Sequence, residues 1–107
     1  MAQPIDREIR LAFWKVHILH HAELAPVYGL WLLDELAGHG HKISPGTLYP
    51  VLARMEANGW LRGTSTGAGK ARREFVLTAI GRDVLVALRH DIAELYREVV
   101  KQGPGAP

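Results

Sequence analysis

Apolar residues recur at helical spacing through most of the chain, and the breaks in that spacing mark its turns. In residues 44–59, SPGTLYPVLARMEANG, Leu48, Val51, Leu52 and Met55 follow the i, i+3, i+4, i+7 rule that puts one apolar stripe on a helix. Ser44 can cap the first turn, Pro45 suits the first helical position, and Gly59 can take the left-handed conformation that stops a helix. The opposite side carries Thr47, Tyr49, Pro50, Ala53 and Arg54, with no carboxylate before Glu56. Residues 5–24 predict a longer helix with two apolar stripes, Ile9, Phe13, Val16 and Leu19 on one and Leu11, Trp14 and Ile18 on the other. A helix apolar on more than one face needs more than one partner. Ala25-Pro26 interrupts it, because proline disfavours helix at the residue before it. Residues 28–37 predict a second helix with Leu30, Leu33, Leu36 and Ala37 inward, ended by Gly38 and Gly40.

After Gly59 the period changes. Trp60-Leu61-Arg62 and the run Arg73 to Leu77 are short strand-like segments around a glycine-rich loop, residues 63–71, which predicts a β-hairpin. Thr78 can cap a last helix over residues 79–101, where Gly81, Leu85, Leu88, Ile92, Leu95 and Val99 form a heptad seam. That seam could pack on its own domain. A seam between two chains is favoured, because the other helices already supply a core. Residues 102–107, QGPGAP, are expected to be disordered.

The 107 residues suit one domain, and a hydrophobic content of 48% argues against a disordered chain. No apolar run approaches the ~18 residues of a membrane span, and the charged start MAQPIDREIR lacks a signal-peptide core. With no cysteine there are no disulfides or thiolate metal sites, and the bacterial cytoplasm is the expected location. The net charge of +2 hides an asymmetry. Residues 42–73 carry Lys42, Arg54, Arg62, Lys70, Arg72 and Arg73 against Glu56 alone, while the segments on either side are slightly acidic. Positive charge concentrated around a helix with a carboxylate-free outer face points to a polyanion, and a helix-turn-helix followed by a basic hairpin points to double-stranded DNA. No phosphate loop, nucleophile elbow or acid–base pair suggests an enzyme, and nothing calls for a cofactor.

Tyr28-Gly29, the run Ser44-Pro45-Gly46-Thr47-Leu48-Tyr49-Pro50 and the run from Gly69 to Thr78, GKARREFVLT, together resemble the PadR family of bacterial transcriptional regulators. The resemblance covers about residues 9–100 and is nearest to the family's short subgroup with a single C-terminal helix. It implies a mainly α fold with a small β-hairpin, a winged helix-turn-helix with N- and C-terminal dimerisation helices. Residues 1–78 would be the DNA-binding unit, 79–101 the dimerisation helix and 102–107 the tail. It further implies a homodimeric repressor that reads a pseudo-palindromic operator and responds to a small aromatic or lipophilic effector.

On that basis Thr47, Tyr49 and Arg54 are candidates for the major groove and its flanking phosphates, with Gly46 allowing close backbone approach. Ser44, Pro45 and Gly46 are also assigned to the DNA-binding edge, Ser44 as a phosphate partner as well as a cap, or could serve helix initiation alone. Tyr28 could touch phosphate or simply pack. Lys42, Lys70, Arg72 and Arg73 are expected to supply salt-dependent attraction. The dimer contact is assigned to Leu85, Leu88, Ile92, Leu95 and Val99, and effector contact to Trp14, Trp31, His17 and His21. Two other readings remain open. His17, His20 and His21 share a helix face whose spacing could hold zinc or nickel, making a metal-responsive regulator, although no local metal motif accompanies them and no metal ligand is assigned. A winged helix can also serve as a protein-interaction module.

Overall fold

The stripe at Leu48, Val51, Leu52 and Met55 is fully inward in the computed structural model, which describes residues 7–64 and 73–102. In chain order the elements are α1 (Arg7–Leu24), β1 (Val27–Tyr28), α2 (Gly29–Gly38), α3 (Pro45–Ala57), β2 (Leu61–Thr64), β3 (Glu74–Leu77) and α4 (Ala79–Tyr96), which runs on into a π-helical turn at Arg97–Lys101. Around the α3 stripe gather Ile18, Leu19 and Ala22 of α1, Leu32 and Leu36 of α2, Val27, Leu61 and Phe75 of the strands, and Leu85 of α4. The caps of α3 form as expected. The Thr47 N–H donates to Ser44 Oγ at 3.3 Å, and Gly59 has φ +81° just past the last turn.

The strands make one antiparallel sheet in the order β1-β3-β2. The hairpin of β2 and β3 pairs Leu61 with Leu77 and Thr64 with Glu74. Strand β1 was not foreseen. Tyr28, expected to open the second helix, instead pairs with Glu74 while Val27 pairs with Phe75, so α2 starts one residue later. A two-residue strand has no period of its own, and only its partner β3 reveals it.

Helix α2 is rotated from its expected phase. Gly29, Leu32 and Leu36 face the core, Leu33 is half-buried, and Leu30 and Ala37 lie outside. The run YGLWLLDELA is apolar on nearly every side, so spacing alone does not choose a face. The choice is made by the close approach at Gly29, where a Cβ would stand 2.6 Å from the Tyr49 ring. Helix α1 divides its stripes between two environments. Trp14, Ile18 and Leu19 face inward, whereas Ile9 and Phe13 remain about half exposed.

The heptad seam of α4 is divided too. Leu85 is fully buried within its own chain and Leu88 packs against the same core, so Leu85 is a core residue and not an intermolecular one. The physical reason is the tight start of the helix. Thr78 Oγ1 accepts from the Gly81 N–H at 2.9 Å and donates to the Trp60 carbonyl at 3.1 Å, which clamps the first turn of α4 to the link between α3 and β2. No structural break therefore separates residues 78 and 79. Glu23 of α1 ties down the next turns, accepting from Arg89 at 2.8 Å and facing Arg82 at 3.4 Å. The Arg89 hydrogen bond holds the Glu23 carboxyl below the usual carboxylate range. Farther along, Ile92, Leu95, Tyr96, Val99 and Val100 are all exposed. Of the expected tail, residues 103–107 lie outside the described residues.

Candidate nucleic-acid interface

Helix α3 turns its N-terminal edge outward because its only buried face is the stripe beginning at Leu48. Ser44, Pro45, Gly46, Pro50, Ala53 and Arg54 are exposed, and Thr47 is half-buried. Pro50 supplies no N–H to the carbonyl of Gly46, which leaves a backbone acceptor unspent by the helix ladder near its exposed start. Tyr49 is half-buried, its ring over Gly29, and it shares a shallow hollow with Pro50, Ala53, Arg73 and Phe75 between α3 and the hairpin. The structure thus brings Thr47, Tyr49 and Arg54 onto one helix but gives them different settings. Arg54 is open, Tyr49 leans on α2, and Thr47 is held from α1.

That hold on Thr47 comes from a residue the sequence reading passed over. Arg7 Nη2 donates to Thr47 Oγ1 at 2.7 Å, and the Ser44 hydroxyl donates to the same oxygen at 3.2 Å. Arg7, Arg10, Trp14, His41, Lys42, Ser44 and Thr47 line a groove of about 520 Å³ between the start of α1 and the start of α3. Within it the indole Nε1 of Trp14 and Nδ1 of His41 are buried without a hydrogen-bond partner. Arg7 and Arg10 add two cations to the surface that Lys42 and Arg54 already make positive. They were missed because their segment is acidic in sum; their i, i+3 spacing on one helix face was the available signal.

The base of the hairpin is fixed by an ion pair. Arg73 donates to Glu56 through Nη1 at 3.1 Å and Nη2 at 3.0 Å, and its guanidinium lies 5.1 Å from the centre of the Phe75 ring. The Gly63 N–H also donates to Glu56 at 3.0 Å. The Arg73 hydrogen bonds, helped by the Gly63 N–H, hold the Glu56 carboxyl below its usual range. Arg73 is therefore a strut between α3 and β3, its charge balanced inside the domain. Lys70 and Arg72, the other expected hairpin cations, lie outside the described residues. Tyr28 donates from its hydroxyl to Glu74 Oε2 at 2.9 Å, on the same sheet.

A carboxyl with a depressed folded-state pKa adds stability above its unfolded value and loses that stability as pH falls through the folded one. Stability should therefore decline below about pH 4.5 with a contribution from Glu56. Glu56→Gln should flatten that part of the profile and cost about 1 kcal/mol at neutral pH, a modest figure because both side chains are about one-third open to water. Urea unfolding at a series of pH values measures both effects, and an unchanged acid limb would exclude the strut.

The four residues proposed for effector contact do not share one cavity within the chain. Trp14 lines the basic groove. Trp31, 45% exposed, lines an apolar hollow with His21, Leu24 and Val27, and its ring meets His21 edge-on at 5.2 Å. His17 lies with His21, His39 and His41 where α1 meets the α2–α3 turn. Burial holds the imidazoles of His17, His21 and His41 below the usual histidine range, which favours their neutral forms.

A helix-turn-helix with a strand pair after its second helix, and with hydroxyls and cations on that helix's free edge, defines a winged helix-turn-helix DNA-binding regulator. Residues 18–87 match the model of the "Transcriptional regulator PadR-like family". The chain is 46% identical over 95 residues to transcriptional regulator Rv3488 of Mycobacterium tuberculosis, covering 88% of this chain and 89% of that protein. The crystal structure of a PadR family transcriptional regulator from Eggerthella lenta superposes with a TM-score of 0.74 at 32% identity, covering 88% of this chain and 84% of that one. The smu.1704 structure from Streptococcus mutans shares the fold, with a TM-score of 0.72 at 23% identity over 95% of this chain and 92% of that one. The chain belongs to the PadR-like family of transcriptional regulators. It is a DNA-binding regulator and not an enzyme, and none of its described helices is long and apolar enough to cross a membrane.

Proposed function

We propose that this chain acts as a homodimeric repressor that binds a pseudo-palindromic operator and is released by an effector acting through the dimer helices. The observation that carries the dimer is the exposed apolar row Ile92, Leu95, Tyr96, Val99 and Val100 on the free half of α4, matched by Ile9 and Phe13 on the outer face of α1. Contiguous apolar surface of this kind is rare on a monomer and marks an association site. Leu88, half-buried, stands at the border between core and seam. The dimerisation unit is accordingly the part of α4 beyond Leu88, together with the outer face of α1.

A two-fold pair would set two α3 helices about 34 Å apart, one turn of duplex, so that each reads a half-site. Thr47, Tyr49 and Arg54 read bases or adjacent phosphates there. Arg7, Arg10, Lys42 and, from the hairpin, Lys70 and Arg72 draw in the backbone, with affinity that falls as salt rises. An apolar effector would be taken up where Trp14 and Trp31 approach the pair.

Footprinting on the DNA upstream of the gene tests the reading, with two protected half-sites about one turn apart as the expected result. The double variant Ile92→Glu, Leu95→Glu should sediment as a monomer and lose at least about a hundredfold in operator affinity, because the second half-site no longer binds intramolecularly. A wild-type chain that sediments as a monomer would remove the dimer. Absence of protection at low salt would remove the operator.

A further inference from the structure

The fold assembles histidines from two places that the sequence keeps apart. His17 and His21 come from α1, while His39 and His41 come from the turn between α2 and α3. Ring centres of His17 lie 5.3 Å from His39 and 4.9 Å from His41. Glu35 of α2 stands between two of these imidazoles, with Oε1 at 3.1 Å from His39 Nε2 and 3.8 Å from His21 Nε2. Ligand atoms of His21, Glu35 and His39 all fall within 4.8 Å of one another. The ring of His20 meets that of His21 edge-on at 5.1 Å, but its Nδ1 is taken by Arg89 at 3.2 Å on α4.

We propose that His21, Glu35 and His39 form a binding site for a divalent transition-metal ion of the zinc class, with His17 beside it as a further donor. Imidazole nitrogens with one carboxylate are the donor set such ions take from proteins, and the same set is poor for magnesium or calcium, which require several oxygens. Zinc bound at about 2.1 Å to tetrahedral donors separates them by roughly 3.4 Å, so the observed spacings need only side-chain rotation to close. Hydrogen bonding between Glu35 and the histidines would explain the pair distances alone. It does not explain why the His17 ring also packs against His21, at 6.4 Å, and against His39.

The position of the site gives it a consequence. Its ligands lie on α1, on α2 and in the turn that leads to Ser44, so an ion would lock the entry to α3 against α1. Metal occupancy would thereby alter operator affinity, a regulatory role that rests on the repressor reading above. The ion-binding claim itself does not depend on that reading.

The test uses tag-free full-length protein and metal alone. Zn²⁺ is titrated in competition with a chromophoric chelator, and Co²⁺ is used to read coordination by its visible absorption. Wild-type protein should bind one ion per chain, and Glu35→Gln and His39→Ala should each weaken it by roughly a hundredfold. Both variants should keep the wild-type circular dichroism, since Glu35→Gln preserves shape and His39 is half exposed. Equal zinc affinity in wild type and both variants, or no binding by wild type below about 100 μM, overturns the site. Operator affinity is then measured with and without zinc. Metal binding with no change in operator affinity would overturn the regulatory coupling while leaving the site. Failure of the protein to bind the operator both with and without zinc would instead overturn the repressor reading.

Discussion

Tyr49→Ala should weaken operator binding by about a hundredfold, the upper range for one base-reading side chain, while the protein remains folded. Tyr49 lies one turn into α3, beside the exposed Pro50 and Ala53, where a helix entering the major groove would be deepest. Its ring is not free, however. It rests on Gly29, where a Cβ would come within 2.6 Å of Cε1 and of the hydroxyl oxygen. This contact pre-sets the ring, so little rotamer entropy is lost on binding DNA. It also means that alanine removes packing, at about 1–2 kcal/mol for a half-buried ring. Gly29→Ala separates the two effects. The added methyl meets only the end of a movable side chain, so the fold should survive while the ring is pushed from its seat. Both variants should lose operator affinity in gel-shift titrations and keep native circular dichroism. If both bind the operator as wild type does, Tyr49 does not read DNA and its role is to fasten α3 to α2.

Gly81→Ala should be the most damaging substitution to stability, although it puts a better helix former inside a helix. Propensity alone predicts a gain of up to about 1 kcal/mol. Here a Cβ would stand 2.1 Å from the Trp60 carbonyl oxygen and 2.7 Å from Leu77 Cδ1. The obstacle is backbone, and that same carbonyl accepts from the Thr78 N–H and the Thr78 hydroxyl, each at 3.1 Å. Making room therefore loosens the cap of α4 as well as its packing. A net loss of about 3 kcal/mol is expected, lowering the melting temperature by roughly 10–20 °C for a chain of this size. Gly38→Ala, where nothing lies within 4 Å of the new methyl, is the control and should change little. Melts must be compared at one protein concentration, because association shifts the apparent midpoint. A melting point equal to the control's would mean that the approach of Gly81 to Trp60 is not the tight contact described.

Both substitutions involve glycines whose importance is invisible to pattern. Gly29 and Gly81 sit inside helical runs, and although Gly81 falls on the heptad spacing, spacing does not say that either position must be glycine. Their function is the close approach of one element to another, which exists only after folding. Arg73 makes the same point for charge. Counted along the chain it is one cation of a basic segment; in space it is neutralised by Glu56 from a different element. Arg7 runs the other way, since its own segment is acidic but its guanidinium reaches the hydroxyl of Thr47 on α3. The histidines divide by the same logic. Helical spacing groups His20 with His17 and His21, whereas tertiary packing sends His20 to Arg89 and brings His39 into reach of His21 and Glu35.

The helix from Pro45 to Ala57 was determined by local chemistry that the sequence carries in full. A hydroxyl cap, a proline in the first turn, one apolar stripe and a glycine after the end are all short-range instructions, and each is satisfied within a few residues. The same holds for the existence of α1, α4 and the hairpin. What the tertiary structure alone decided was partnership: which face of α2 is buried, where β1 joins the sheet, that Leu85 belongs to the core, and which charges meet. Those outcomes depend on contacts between residues tens of positions apart. Periodicity says that a face must be covered and does not say by what, because burial of apolar area is non-directional. Direction came from close approaches at two glycines, Gly29 against the Tyr49 ring and Gly81 against the Trp60 carbonyl, and from paired charges such as Glu56 with Arg73.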